Sequence, residues 1–231
     1  MGTIKSAIQG VTERIRQAAI TAGRDPESIS LLAVSKTFPA ENVREAWQAG
    51  QLAFGENYVQ EGIDKIAALA DLPLHWHFIG PLQSNKTRPV AEHFDWVHSI
   101  ERLKIAERLS AQRPAHLPPL QVCIQVNVSG EVSKSGCEFA EVPALAEAIR
   151  QLPRLQLRGL MCIPEPTEDA QQLHRQFAAL RQCLQQLNRS GLQLDTLSMG
   201  MSADMEAAIA EGATMVRVGT AIFGARSYAR H

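Results

Sequence analysis

Lys36 ends the run Ile29-Ser30-Leu31-Leu32-Ala33-Val34-Ser35-Lys36, a short apolar stretch bounded by polar residues. Such a run predicts a buried strand with a lysine at its carboxyl end. In an α/β fold that end of a strand opens where ligands bind and chemistry happens. An amine partly withdrawn from water at such a rim can have a lowered pKa and form a Schiff base with an aldehyde. The strand alone does not decide this, because most lysines are solvated surface residues.

A second group of residues lies near the other end of the chain. Ser198-Met199-Gly200-Met201-Ser202 and Arg217-Val218-Gly219-Thr220-Ala221 each follow or close a short β-rich run. Gly200 and Gly219 allow backbone amides to come close to an anion. Ser202 can cap a following helix or donate its hydroxyl to a phosphate oxygen, and Thr220 can do the same for the segment after it. Arg217 alternates with Val216 and Val218, so it points either into the mouth of the fold or outward among helices. Asn57, in Gly55-Glu56-Asn57-Tyr58, can cap a helix or reach a ligand at the same mouth. His75 and His77 share one face of a strand, but no acidic residue stands beside them and zinc is not expected. Lys134 falls in the polar segment Ser129 to Gly136 and is expected to be solvated. A reactive lysine and a phosphate site at one mouth suit a phosphorylated aldehyde or ketone, either pyridoxal 5′-phosphate (PLP) or the sugar phosphate of a Schiff-base aldolase.

The elements that must position these residues alternate along the chain. After an opening helix near Ile4 to Ala22, β-rich runs appear at the Lys36 strand, 52–54, 75–79, 96–99, 120–128, 157–163, 196–198 and 215–218. Segments with apolar residues three and four apart separate them. About eight β/α units predict a single (β/α)8 TIM-type barrel with an extra N-terminal helix, one domain over residues 1–231. In that fold phosphate often sits on the loops after strands seven and eight, where the second group falls. The main rival is an open doubly wound sheet, whose dinucleotide-binding version is weakened because no Gly-x-Gly-x-x-Gly follows a strand.

Composition narrows the function classes. Of 231 residues, 45% are hydrophobic and 20% charged, ordinary values for a globular protein. The net charge is −1 with no basic block, which gives no support to nucleic-acid binding. No run approaches membrane-spanning length, and Lys5, Glu13, Arg14 and Arg16 break up the amino-terminal segment, so neither a membrane nor a signal peptide is expected. The start Met1-Gly2-Thr3-Ile4-Lys5-Ser6 fits the loose myristoylation pattern by chance, without a second anchoring signal. Cys123, Cys137, Cys162 and Cys183 are too widely spaced for a Cys-x-x-Cys motif and are expected as free thiols in the cytosol.

The chain resembles the PLP homeostasis (YggS/PROSC) family over nearly its whole length. The matching segments are Leu32 to Thr37, Phe54 to Glu61, His75 to Lys86, Lys134-Ser135-Gly136, Arg158 to Met161, Leu197 to Ser202 and Met215 to Gly224. The resemblance implies a barrel like the amino-terminal domain of alanine racemase, with PLP as a Schiff base on Lys36. It also implies phosphate contacts from Ser202, Gly219 and Thr220, Arg217 facing the pyridine nitrogen, and Asn57 near the ring. The implied role is buffering or delivery of PLP, without turnover, by a monomer whose partners are PLP and apo PLP-dependent enzymes. A small PLP-dependent racemase or lyase is the alternative. The related racemases need an added β domain and a catalytic tyrosine from across a dimer, whereas this sequence has only Tyr58 and Tyr228.

Overall fold

In a computed structural model of the protein, residues 3–130 and 135–225 are described. Eight strands, β1 (Ser30–Val34), β2 (Ala53–Glu56), β3 (His75–Phe78), β4 (Trp96–Ile100), β5 (Leu120–Gln125), β6 (Leu155–Met161), β7 (Thr196–Ser198) and β8 (Met215–Val218), pair in parallel in sequence order and close into a barrel. Closure comes from β8 against β1, in the register Leu32 opposite Arg217 and Ala33 opposite Val218. The helices are α1 (Ile4–Thr21), α2 (Ala40–Gln48), α3 (Val59–Ala68), α4 (Thr87–His93), α5 (Leu103–Gln112), α6 (Val142–Arg150), α7 (Ala170–Arg189), α8 (Met205–Ala210) and α9 (Thr220–Phe223). The expected (β/α)8 barrel with an extra N-terminal helix is what forms.

Local chemistry explains the elements. Thr3 caps α1 by accepting a hydrogen bond from the Ser6 amide at 3.1 Å. Ile8, Val11, Ile15 and Ala19 then fall on one stripe, and that stripe packs into the core. Along β8, Val216 and Val218 join the apolar layer between barrel and helices, so Arg217 is turned the other way, into the lumen. Leu32, Val34 and Ile79 form a separate apolar cluster, with Ala53 and Met215 against it.

Strand ends depart from the apolar runs in two places. The run 120–128 ends as a strand at Gln125; the Val126 amide still donates to the Met161 carbonyl, and Val126 forms an isolated bridge with Cys137. The run 157–163 forms a strand two residues earlier, Leu155–Met161. The Cys162 amide still donates to the Ser198 carbonyl, but its own carbonyl accepts from Arg217. Past these ends Val126 and Cys162 are buried by loop packing instead of by the sheet, whereas Ile163 is 48% exposed, so an apolar run marks neither the strand end nor burial residue by residue.

Gly159 lies on β6 where it faces the backbone of β7. A Cβ there would lie 1.8 Å from the Thr196 carbonyl oxygen on the neighbouring strand. Because the obstacle is backbone, a side chain cannot be accommodated by a rotamer change. Gly159→Ala is expected to cost about 3 kcal/mol, the upper part of the usual overpacking range, measured as a lowered urea midpoint.

Candidate functional site

Lys36 stands two residues beyond the end of β1, half-buried at the carboxyl-terminal mouth of the barrel. Its neighbours fix the backbone there. The Ser35 amide donates to the Gly55 carbonyl at 3.1 Å, and the Phe38 amide donates back to the Ser35 carbonyl at 3.1 Å. Thr37 has φ +68°, an uncommon left-handed conformation for a β-branched residue. Such a residue stores about 1–3 kcal/mol of strain and persists only where surrounding contacts hold it. The Phe38 ring stacks on Phe223 of α9, with centroids 5.3 Å apart. The loop after β1 is thereby tied to the loop after β8.

Gly219 ends β8 and begins α9, and a Cβ on it would come within 3.2 Å of the Val34 carbonyl. The first turn of a helix leaves amide N–H groups without intrahelical acceptors, so Thr220 and its neighbours present donors at the mouth. After β7, Gly200 takes φ +97°, and a Cβ there would strike Ala208 at 2.6 Å. The Gly200 carbonyl accepts from the Arg217 amide at 2.9 Å, which ties this loop to β8. Ser202 follows, half-buried, with its carbonyl bonded to Arg14. It does not cap α8, whose cap position is Asp204. Asn57 does not cap α3 either, because that position is Tyr58. The buried Asn57 Oδ1 has no partner among the described residues. Gly80 lets the loop after β3 lie against Asn57, since a Cβ there would be 2.3 Å from the Asn57 carbonyl oxygen.

Arg217 is the electrostatic centre of the lumen. Only 3% exposed, it donates to Ser198 Oγ at 2.8 Å and to the Cys162 carbonyl at 2.8 Å. Asp204 attracts it through space, but no described carboxylate pairs with it. Burial lowers its pKa from the ordinary arginine value, though a guanidinium keeps its proton in proteins. A hydrogen-bonded chain continues from it: Ser198 Oγ to His98 Nδ1 at 2.8 Å, then His98 Nε2 to His77 Nδ1 at 2.8 Å. Burial, with the His75 charge as a lesser cause, pushes the His77 pKa down to about 3. Burial also holds His98 well below the usual histidine value, helped by His77 and Arg217. Both imidazoles are neutral at physiological pH. His75 is exposed, and the described residues contain no group of three His, Cys, Asp or Glu suited to a metal ion.

Arg217 on β8, and Lys36, Asn57, Ser202, Gly219 and Thr220 just past the ends of β1, β2, β7 and β8, are brought to the same end of the barrel by these neighbouring strands. Lys134 lies outside the described residues. Sequence reasoning missed the Ser198–His98 pair, 100 positions apart. It also missed the buried cluster Ser35, Glu56 and Lys65 behind the Lys36 turn. The one advance signal for that cluster was a glutamate at the end of an apolar strand.

The alanine racemase N-terminal domain family matches residues 9–227. A pyridoxal phosphate homeostasis protein of Pseudomonas aeruginosa is 67% identical over 228 residues, 99% of this chain and 98% of that one. The chain belongs to the pyridoxal phosphate homeostasis protein family. The structure of PipY from Synechococcus elongatus with PLP bound superposes with a TM-score of 0.81 at 43% identity, covering 91% of this chain and all of that one. Alanine racemase from Corynebacterium glutamicum shares the fold alone, with a TM-score of 0.70 at 18% identity over 98% of this chain and 64% of that one.

The neutral histidines set a pH dependence. Unfolding exposes imidazoles that take up protons below their ordinary pKa of about 6.5, whereas folded His77 resists protonation down to about 3. Stability is therefore complete above pH 6.5 and is lost as pH falls through the window from 6.5 towards 3. Once the unfolded histidine is fully protonated, the slope is about 1.4 kcal/mol per pH unit for each such histidine. Urea midpoints measured from pH 7.5 to 5 are expected to show this fall, and His77→Asn to flatten it.

Proposed function

We propose that the chain is a single PLP-binding domain that holds PLP covalently on Lys36 and stores or delivers it in the cytosol without turnover of its own. The observation that carries this reading is the convergence at one barrel mouth of the Lys36 amine, the glycine-rich loops after β7 and β8, and a buried arginine that no described carboxylate pairs with. PLP, when bound, supplies an aldehyde that condenses with an unprotonated lysine amine, its oxygen leaving as water, so the attachment is reversible by hydrolysis.

The residues present fit such a ligand. A phosphate suits the Ser202 hydroxyl and the backbone of Gly219 and Thr220, where donors cluster. Arg217 has guanidinium N–H groups beyond the two used on Ser198 and Cys162, and these can donate to a pyridine nitrogen. The unpartnered Asn57 Oδ1 offers a polar contact at the ring edge. Relatives named for PLP homeostasis and the PLP-bound PipY support the choice of PLP over a sugar phosphate.

A holding role follows from the same residues. An arginine facing the ring nitrogen donates a hydrogen bond but gives up no proton, which leaves the ring a weak electron sink. Catalysis on an amino acid also needs a second positioned acid or base. Tyr58 is 52% exposed on its loop, and His77 and His98 are buried and bonded to each other. Tyr228 lies outside the described residues. Four buried free thiols agree with a reducing compartment.

Protein loaded with PLP is expected to show the visible absorbance of a lysine-linked pyridoxal, to lose it in Lys36→Ala, and to reactivate an apo PLP-dependent enzyme. Steady turnover of any amino acid in a broad panel would contradict the holding role. Ser202→Ala is expected to weaken PLP by roughly tenfold, as for one charge-assisted hydrogen bond, while leaving the affinity for pyridoxal, which lacks the phosphate, unchanged.

A further inference from the structure

Behind the Lys36 turn lies a buried ionic cluster that the PLP reading does not use. Lys65, on α3, is 5% exposed, and its ammonium donates to three oxygens at 2.7 Å each: the Ser35 carbonyl, Glu56 Oε1 and Glu61 Oε1. These three contacts use all its protons. Glu56, at the end of β2, also accepts from the Ser35 hydroxyl at 2.6 Å. Glu61 accepts from the Thr37 amide at 2.5 Å. Burial raises the Glu56 pKa, while Lys65 and Ser35 oppose that rise.

The contacts converge on the two residues that flank Lys36. Ser35 is held through its amide, its hydroxyl and its carbonyl. Thr37 is held through its amide in a left-handed conformation that it would otherwise leave. Both anchors reach back to one ammonium. A buried ion pair adds little stability over an apolar substitute, so such a cluster is better explained by the geometry it imposes.

Resting on the PLP reading, we propose that Lys65 and Glu61 are positioning residues that clamp the Ser35–Thr37 turn and so hold the Lys36 amine at the aldehyde of its ligand. A lysine whose Cα is fixed attacks a bound carbonyl as an intramolecular neighbour, whereas a loosened turn lowers its effective concentration there. The clamp acts on covalent attachment and leaves the phosphate cradle alone.

The test uses the full chain with two ligands. PLP can link to Lys36, whereas pyridoxamine 5′-phosphate carries an amine in place of the aldehyde and cannot. Glu61 has 28% of its side chain exposed, so Glu61→Ala removes the Thr37 acceptor without emptying a buried site. Its expected effect is a roughly tenfold fall in the ratio of lysine-linked to free bound PLP, the size of losing one charge-assisted hydrogen bond. The affinity for pyridoxamine 5′-phosphate stays unchanged, and Glu61→Gln, which keeps an acceptor oxygen, restores the ratio. Thr37→Gly, which relieves the strain and loosens the same turn, is expected to act in the same direction. An unchanged ratio in both Glu61→Ala and Thr37→Gly overturns the clamp, as does an equal loss of pyridoxamine 5′-phosphate affinity. Wild-type protein that never links PLP at Lys36 overturns the PLP reading, and this inference with it.

Discussion

The parallel pairing of β8 with β1 closes the barrel and sets Arg217 opposite Leu32, with Lys36 only a few residues farther along. Nothing in the local sequence joins these segments, which lie nearly the full chain apart. Once they pair, the loops after β7 and β8, the arginine and the lysine share one mouth. A side chain at Gly219 would crowd the Val34 carbonyl, and Phe38 stacks on Phe223. The site is thus a consequence of closure, and an open sheet would leave the lysine and the glycine-rich loops at opposite edges.

The two buried cations near the mouth are treated in opposite ways. Lys65 has two carboxylates and a carbonyl within 2.7 Å, so its charge is answered inside the protein. Arg217 has a hydroxyl and a carbonyl, both neutral. Burying a cation among neutral acceptors costs more than burying it beside a carboxylate. That cost is left without a described carboxylate at Arg217, in keeping with its proposed role towards a ligand, whereas at Lys65 it is offset within the chain. The neutral His98 and His77 extend the Arg217 contacts through the lumen without adding a competing charge.

Much of this was legible in the sequence. The alternation of apolar runs and helical stripes carried the barrel, because parallel strands buried on both faces read as continuous hydrophobic segments. Lys36, Asn57, Ser202, Gly219 and Thr220 could be placed at strand ends by the same reading. The direction of Arg217 could not be chosen until Val216 and Val218 were seen to face the helices. Glu56 and Lys65 stayed hidden because their contact depends on how steeply the chain turns from β2 into α3. The loops after β7 and α3's start suggested caps at Ser202 and Asn57, yet Asp204 and Tyr58 hold those positions. A cap residue and a ligand-binding residue have the same chemistry, and only backbone geometry separates them.

The proposed function stands or falls on whether Lys36 is the amine that takes the ligand. Borohydride reduction of the PLP-loaded protein, followed by proteolysis and peptide mass mapping, reads this directly. One stable pyridoxyl adduct is expected, on the peptide containing Lys36, with Lys65 and Lys86 unmodified. An adduct confined to another lysine, or spread evenly over the surface lysines, would contradict it.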